Sequence, residues 1–500
     1  MTARPEQSRS GRAVSCPSDA AGSLGGVADN DLTDPQRRYV AELAGQLRDR
    51  SIEVRSWIGR SPRPLAESRP WANFRPALKE LLFPVVIERA AGSQVWDRSG
   101  NQYTDYCMGF GVHLFGHSPE FVTRAIERQL RRNYSIGSQF APTYELAEQF
   151  CRITGHDRVT FCCTGTEAVL GAVRLARLAT GRNKIVYFHK SYHGLADGVL
   201  ATVGSAGGPA VPAAAGLSPG AVGEAIVLRY GDDAALRTLD AVRDQVAAVI
   251  VEPIQNRNPT VQPAEFLRSL RGLTARAGIV LILDEMITGF RLGLRGAQGR
   301  FGIKPDLATY GKVLGGGLPI GAIAGVAALM DGMDGGSWTY ADDSAPTAAT
   351  TLFGGTFQKH PLAITAARAV LDHLEDRGED LYLDLDRQAR AAVTGLAEIF
   401  GRAGLPYAVS SYGSVWRFEY TGPPDPAQAL LFDMMYHSFV ATGIYAWKGR
   451  SFFLSTEHSG TDIARLLDST EQVIERLRAA QFLPERARDR AGIGAGGGGS

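Results

Sequence analysis

The chain has 53 Lys and Arg together, but only seven are lysines, at positions 79, 184, 190, 304, 312, 359 and 448. Lys312 stands between an apolar run, LATYG, and three consecutive glycines at 315–317. A lysine at a strand end inside a pocket loses hydration, so its amine is more readily neutral and nucleophilic. Glycines beside it let the backbone approach a ligand without side-chain obstruction. A solvated loop lysine is the other reading, and it suits Lys184, Lys304, Lys359 and Lys448, which sit beside Gly, Pro, Asn or His.

Other strand ends carry further chemistry. GIVLILDE closes on Asp284, a carboxylate at the edge of an apolar interior, where it needs a cation. It could instead cap a helix or pair with Arg291. After RVTFCC, the Thr-Gly-Thr of TGTEAVLGAVRLARLATG opens a helix whose free N–H groups suit an anion such as phosphate. Thr164 or Thr166 could equally be a simple cap. KSYHG places Tyr192 and His193 on a turn, for ring stacking or for packing. Glu252, Gln255 and Asn256 follow VAAVIVEP, where they could also be ordinary loop residues.

Together, an anion turn, an aromatic ring, a carboxylate and a lysine at strand ends match what pyridoxal 5'-phosphate (PLP) requires. The phosphate takes a helix N-terminus, the ring a stacking partner, the ring nitrogen a carboxylate, and the aldehyde a lysine amine.

The elements that would position these groups follow from periodicity. RVTFCC, NKIVYFH, AIVLRY, VAAVIVEP, GIVLILDE and LATYG read as buried strands alternating with helices, which predicts a mostly parallel α/β sheet. Ligands collect at the carboxyl ends of such strands. The expected division is a disordered arm at 1–31, a helix and small antiparallel sheet at 32–104, a large domain at 105–352, a smaller α+β domain at 353–485, and a flexible tail at 486–500. The smaller domain is expected to hold two helices, PLAITAARAVLDHLED and another near DLDRQARAAVTGLAEIFGRAG, before a last one at TDIARLLDSTEQVIERLRAAQ.

A net charge of +1 gives no reason to expect nucleic acid or an anionic membrane as partner. No apolar run is long enough to span a bilayer, and the N-terminus lacks a signal-peptide core. Five cysteines, at 16, 107, 151, 162 and 163, form neither a disulfide framework nor a zinc pattern. The expectation is a cytoplasmic protein. Neither a Walker motif nor a strand-linked GxGxxG is present, which excludes a nucleotide-binding reading.

TGTEAVLGAVRLAR, SYHG, EPIQ, LDEMITGFR, TYGKVLGGGLPIG and GGTFQKHPLA, in this order, resemble the class III aminotransferases of PLP fold type I. The resemblance runs from about residue 68 to 480. Within that class the chain is similar to the glutamate-1-semialdehyde aminomutase branch, and closer still to aminotransferase domains of polyketide and non-ribosomal peptide synthases. FRPALKELLFPVVIERAAGSQVWD, CMGFGVHLFGHSPEFV and AWKGRSFFLSTEHS carry that second likeness.

The resemblance implies a large domain with a seven-stranded type of sheet, beside a smaller α+β domain. It implies Lys312 as the lysine that bonds PLP and shuttles protons, and Asp284 as partner of the ring nitrogen. Gly165 and Thr166 would hold the phosphate, with Thr356 reaching it from the neighbouring subunit of a homodimer. Tyr192 would stack on the ring, Met286 would pack its other face, Gln255 would lie near the ring hydroxyl, and Glu252 would support that region. Arg75 would hold a substrate carboxylate, and Phe110 would form the substrate-side wall where the aminomutases carry Trp. EPIQNRNP and His360, where many relatives have Asn, depart from the common pattern.

The expected activity is aminotransfer from an amino-acid donor to a keto or aldehyde acceptor in specialised metabolism, with a carrier protein as a further partner. An intramolecular aminomutase and a non-catalytic PLP-fold partner protein are the alternatives.

Overall fold

The computed structural model describes residues 32–58, 64–66, 74–82, 84–204, 209–423 and 425–483. The arm at 1–31 and the tail at 486–500 lie outside these residues.

The first helix, Asp34–Asp49, starts where Thr-Asp-Pro predicts it. Thr33 and Gln36 exchange side-chain and backbone hydrogen bonds in a capping box. A small sheet follows, of β1 (Ile87–Ala91), β2 (Gln94–Asp97) and β3 (Gln102–Asp105), antiparallel as expected.

The large sheet is built from β4 (Arg158–Cys162), β5 (Lys184–Phe188), β8 (Ala225–Leu228), β9 (Val246–Val251), β10 (Val280–Asp284), β11 (Leu307–Gly311) and β12 (Gly321–Gly325). A short hairpin, β6 (Ala201–Thr202) with β7 (Val211–Pro212), interrupts the series. The spatial order is β4-β12-β11-β10-β9-β5-β8. Every pairing is parallel except those of β12, which runs antiparallel between β4 and β11. All residues of β9, β10 and β11 are buried, as strands covered on both faces require. The Ala-rich helix Gly165–Thr180 packs on one face through Ala168, Val169, Ala172 and Ala176.

The two helices expected after residue 360 abut without a loop. Pro361–Ala403 is continuous except at Gly378, whose φ of 56° and ψ of −147° break it where only glycine sits without strain. His360 caps this element, its Nδ1 accepting from the Leu362 N–H at 3.2 Å. A third sheet joins β13 (Tyr407–Tyr412), β14 (Val415–Tyr420) and β16 (Phe452–Phe453). The intervening β15 (Ile444–Tyr445) instead pairs in parallel with β3, tying the C-terminal region to the N-terminal sheet. No described helix is long and apolar enough to cross a membrane.

Candidate active site

Lys312 follows β11 directly, and it takes a positive φ of 45°. A lysine in the left-handed region costs about 1–2 kcal/mol, strain that the surrounding structure must hold. Burial pushes its amine below the ordinary lysine range, and the nearby Asp284 and Glu252 carboxylates push it back up. Asp284 ends β10 in register with Thr309 of β11, so the two strands deliver lysine and carboxylate to the same end of the sheet.

Asp284 does not pair with Arg291. Its Oδ2 lies 2.6 Å from Nδ1 of His193, and its Oδ1 accepts from the Met286 N–H at 3.1 Å. Both partners of the His–Asp pair are buried. His193 completes the carboxylate's surroundings, and sequence reasoning gave it no role beyond that of an aromatic on a turn. The signal was available: a buried carboxylate needs a polar partner, and SYHG supplies one at the next strand end but one.

Arg291 does other work. Fully buried, it donates from Nη1 to Ser414 Oγ at 2.8 Å and to the Leu454 carbonyl at 3.1 Å. From Nη2 it donates to the Gly111 carbonyl at 2.9 Å. Burial without a carboxylate pushes its guanidinium down to about 10.

The helix start behaves as a cradle. Thr164 is its cap, accepting from the Glu167 N–H, while Glu167 accepts in return from the Cys163 N–H at 2.8 Å. Thr166 Oγ1 accepts from the Leu195 N–H at 3.1 Å, which leaves its proton to donate. A Cβ on Gly165 would fall 2.7 Å from the Met286 sulfur, and one on Gly311 2.9 Å from the same atom. Met286 therefore fills the space between the helix start and the lysine strand, and glycine at both positions admits it.

Glu252 is buried, its oxygens accepting from the Tyr192 N–H at 2.7 Å and the Asn256 N–H at 3.0 Å. Burial raises its carboxyl above the usual range. Gln255 donates to the His189 carbonyl at 2.9 Å. Tyr192 is half exposed, with the Arg257 guanidinium 5.7 Å from its ring centre.

The structure thus brings Lys312, Asp284, Glu252, Gln255, Tyr192, Met286, Gly165 and Thr166 to the carboxyl end of one sheet. The remaining three expected residues come from elements outside that sheet. Thr356 is exposed. Arg75 donates from Nε to Asp433 at 2.9 Å, and Lys448 occupies the other oxygen of that carboxylate at 2.8 Å. Phe110 packs edge-on against Trp447, ring centres 5.3 Å apart, on a left-handed turn running from Met108 through Gly111.

PLP fits these residues. Gln255 Oε1 and His193 Nε2 are buried with no hydrogen-bond partner among the described residues, the condition expected of groups lining a ligand's place. The glycine cradle, the exposed tyrosine face and the lysine with a lowered amine pKa provide for the cofactor's other parts.

Fold and site together define a PLP-binding enzyme of fold type I. The chain belongs to the class III aminotransferases: the profile described as "Aminotransferase class-III" matches residues 77–448. It is 37% identical over 412 residues to a glutamate-1-semialdehyde 2,1-aminomutase of Desulfotalea psychrophila, covering 79% of this chain and 92% of that one. A protein of the same name from Pyrobaculum arsenaticum is 39% identical over 348 residues, covering 69% and 79%. Among solved structures, the fold superposes at a TM-score of 0.75 and 23% identity on a glutamate-1-semialdehyde aminomutase of Pseudomonas aeruginosa, covering 89% and 98%. It does so at 0.74 and 24% on an omega-transaminase of Sphaerobacter thermophilus, covering 91% and 98%.

Proposed function

We propose that the chain moves an amino group within one substrate molecule, as an aminomutase of the glutamate-1-semialdehyde type. The observation that carries this reading is the 34–39% identity to five proteins all bearing that name. It reverses the order expected from sequence motifs, which put intermolecular aminotransfer first.

Bound PLP supplies an electron-withdrawing ring that lets a substrate C–H be lost as a proton. Lys312, its amine lowered below the usual lysine range by burial, would take the proton from the carbon that gives up its nitrogen and return one to the neighbouring carbon that receives it, so that a C2–N bond is exchanged for a C1–N bond with no net oxidation. Asp284, held by His193 and the Met286 amide, keeps a proton on the ring nitrogen. Gly165 and Thr166 would hold the phosphate of PLP, Gln255 would meet its ring hydroxyl, and Tyr192 and Met286 would flank the ring. Thr356 of a second copy completes the phosphate site of a homodimer.

One observation favours the second reading, intermolecular transfer in specialised metabolism. Arg75, the residue assigned to a free substrate carboxylate, is already engaged by Asp433. A substrate lacking that carboxylate, such as an acyl group on a carrier protein, would need no free Arg75.

The test supplies glutamate 1-semialdehyde to the holoenzyme with no co-substrate. Conversion to the isomer with nitrogen moved from C2 to C1 supports the mutase. Conversion only after an amino donor or keto acid is added overturns it in favour of transfer.

A further inference from the structure

Met108, Gly109, Phe110 and Gly111 form four successive residues at positive φ, 43°, 60°, 58° and 95°. Two of them, Met108 and Phe110, carry side chains that this region disfavours. Such a turn persists only where its surroundings over-determine it. Arg291 holds its C-terminal end through the Gly111 carbonyl. The N-terminal end is held by Asp105, whose Oδ1 accepts from the Cys107 N–H at 2.6 Å and the Met108 N–H at 3.1 Å.

Asp105 is itself buried and fixed from two sides. Its Oδ2 lies 2.8 Å from Nε2 of His117. The tautomer of His117 with its N–H at Nε2 donates to this oxygen. The backbone carbonyl of Asp105 accepts from Nε2 of His458 at 3.1 Å, a tautomer required because His458 Nδ1 accepts from the Ser455 N–H. The His117 ring lies 4.5 Å from that of His113, which abuts the same turn: a Cβ on Gly109 would fall 2.9 Å from His113 Cδ2.

We propose that Asp105 and His117 are positioning residues. They pin the left-handed turn and so present Phe110 to the substrate. This rests on the reading of Phe110 as a substrate-side wall. Neither residue is placed at the reacting atoms; Asp105 acts through the Cys107 and Met108 amides, and His117 acts through Asp105.

The test compares His117→Leu, which removes the donor to Asp105, with His117→Gln, whose amide nitrogen can occupy the place of Nε2. Hydrogen exchange by mass spectrometry is read on the holoenzyme over residues 105–114. KM and kcat are read with glutamate 1-semialdehyde. We expect His117→Leu to speed exchange in that segment alone and to raise KM roughly tenfold with kcat little changed, as when binding common to ground and transition states is lost. His117→Gln should restore both, and the visible spectrum of bound PLP should stay as in the parent.

Unchanged exchange in His117→Leu overturns the pin. Faster exchange with unchanged KM overturns the positioning role, and Phe110→Ala then separates the causes: if it too leaves KM unchanged, the reading of Phe110 has failed. If the parent does not turn over the semialdehyde, the mutase reading fails and the pin stands or falls on exchange. Should His117→Leu not fold, Asp105→Asn, which weakens acceptance from both amides, is judged by the same two readouts.

Discussion

Lys312 and Glu285 illustrate how burial acts on single groups with opposite consequences. Lys312 is a base with its folded-state pKa lowered. Below that pKa the folded cofactor-free protein must bury a charge, a cost relieved as pH rises towards the unfolded value of about 10.4. The same lowering makes the amine reactive. Lys312→Ala should keep the fold, checked by circular dichroism, and lose amino transfer by on the order of 10³-fold or more. Substantial turnover by that variant would remove Lys312 from the centre of the chemistry. Glu285 is an acid that burial pushes up to about 7, although Thr288 and the Ala297 and Gln298 amides all donate to it. The folded state therefore binds more protons than the unfolded one between about pH 4.3 and 7, and stability from this group falls as pH rises through that window. Glu285→Gln, which cannot ionise, should accordingly cost about 2–3 kcal/mol less at pH 8 than at pH 5 in urea melts. An equal cost at both pH values would mean that the carboxyl ionises normally.

Single elements bring the site together, and they were legible in the sequence to different degrees. β4, β5, β8, β9, β10 and β11 were readable because buried strands write themselves as short apolar runs, and their polar end residues then marked the site. The two helices meeting at Gly378 were also visible, but their direct junction was not, since one glycine inside a periodic stretch does not reveal its backbone angles. The Asp284–His193 pair was missed for a different reason. Its partners are 91 residues apart in sequence and meet only because β5 and β10 both flank β9. The helix start Gly165–Thr180 yields a prediction at this scale. Gly165→Ala would place a Cβ 2.7 Å from the Met286 sulfur, and Met286 is flexible enough to give way. The fold should lose about 1–3 kcal/mol, while the displaced sulfur intrudes on the ring's space and PLP affinity drops about tenfold, read by spectral titration. Met286→Ala in the same chain should recover part of that loss, because the two sites are in contact. Independent, additive effects would show that Met286 does not fill the gap between cradle and lysine.

At the scale of the whole molecule, residues beyond the sheet end at an open surface. Trp338, Tyr340, Leu352 and Phe357 are exposed, Tyr340 and Leu352 by more than four-fifths, and Thr356 lies among them. Large apolar side chains gathered in one exposed segment are characteristic of an interaction surface. Nothing in hydrophobic periodicity marked this segment, because exposed apolar residues outside a helix or strand leave no period. Only the resemblance implied a neighbouring subunit here, and it did so through Thr356 alone. The proposed shared-site arrangement has a decisive test in mixed dimers. Lys312→Ala removes the reactive amine of one copy, and Thr356→Asp sets a carboxylate against the phosphate held by the other. Each variant alone should be inactive as a homodimer. If Thr356 serves the neighbouring site, a mixed dimer has one site with both defects and one with neither, so activity returns on mixing after subunit exchange. Random pairing makes half of the dimers mixed, each with one intact site, and recovery should approach roughly a quarter of the parent activity. If Thr356 instead serves its own copy's site, every site in the mixture carries one defect and mixing restores nothing.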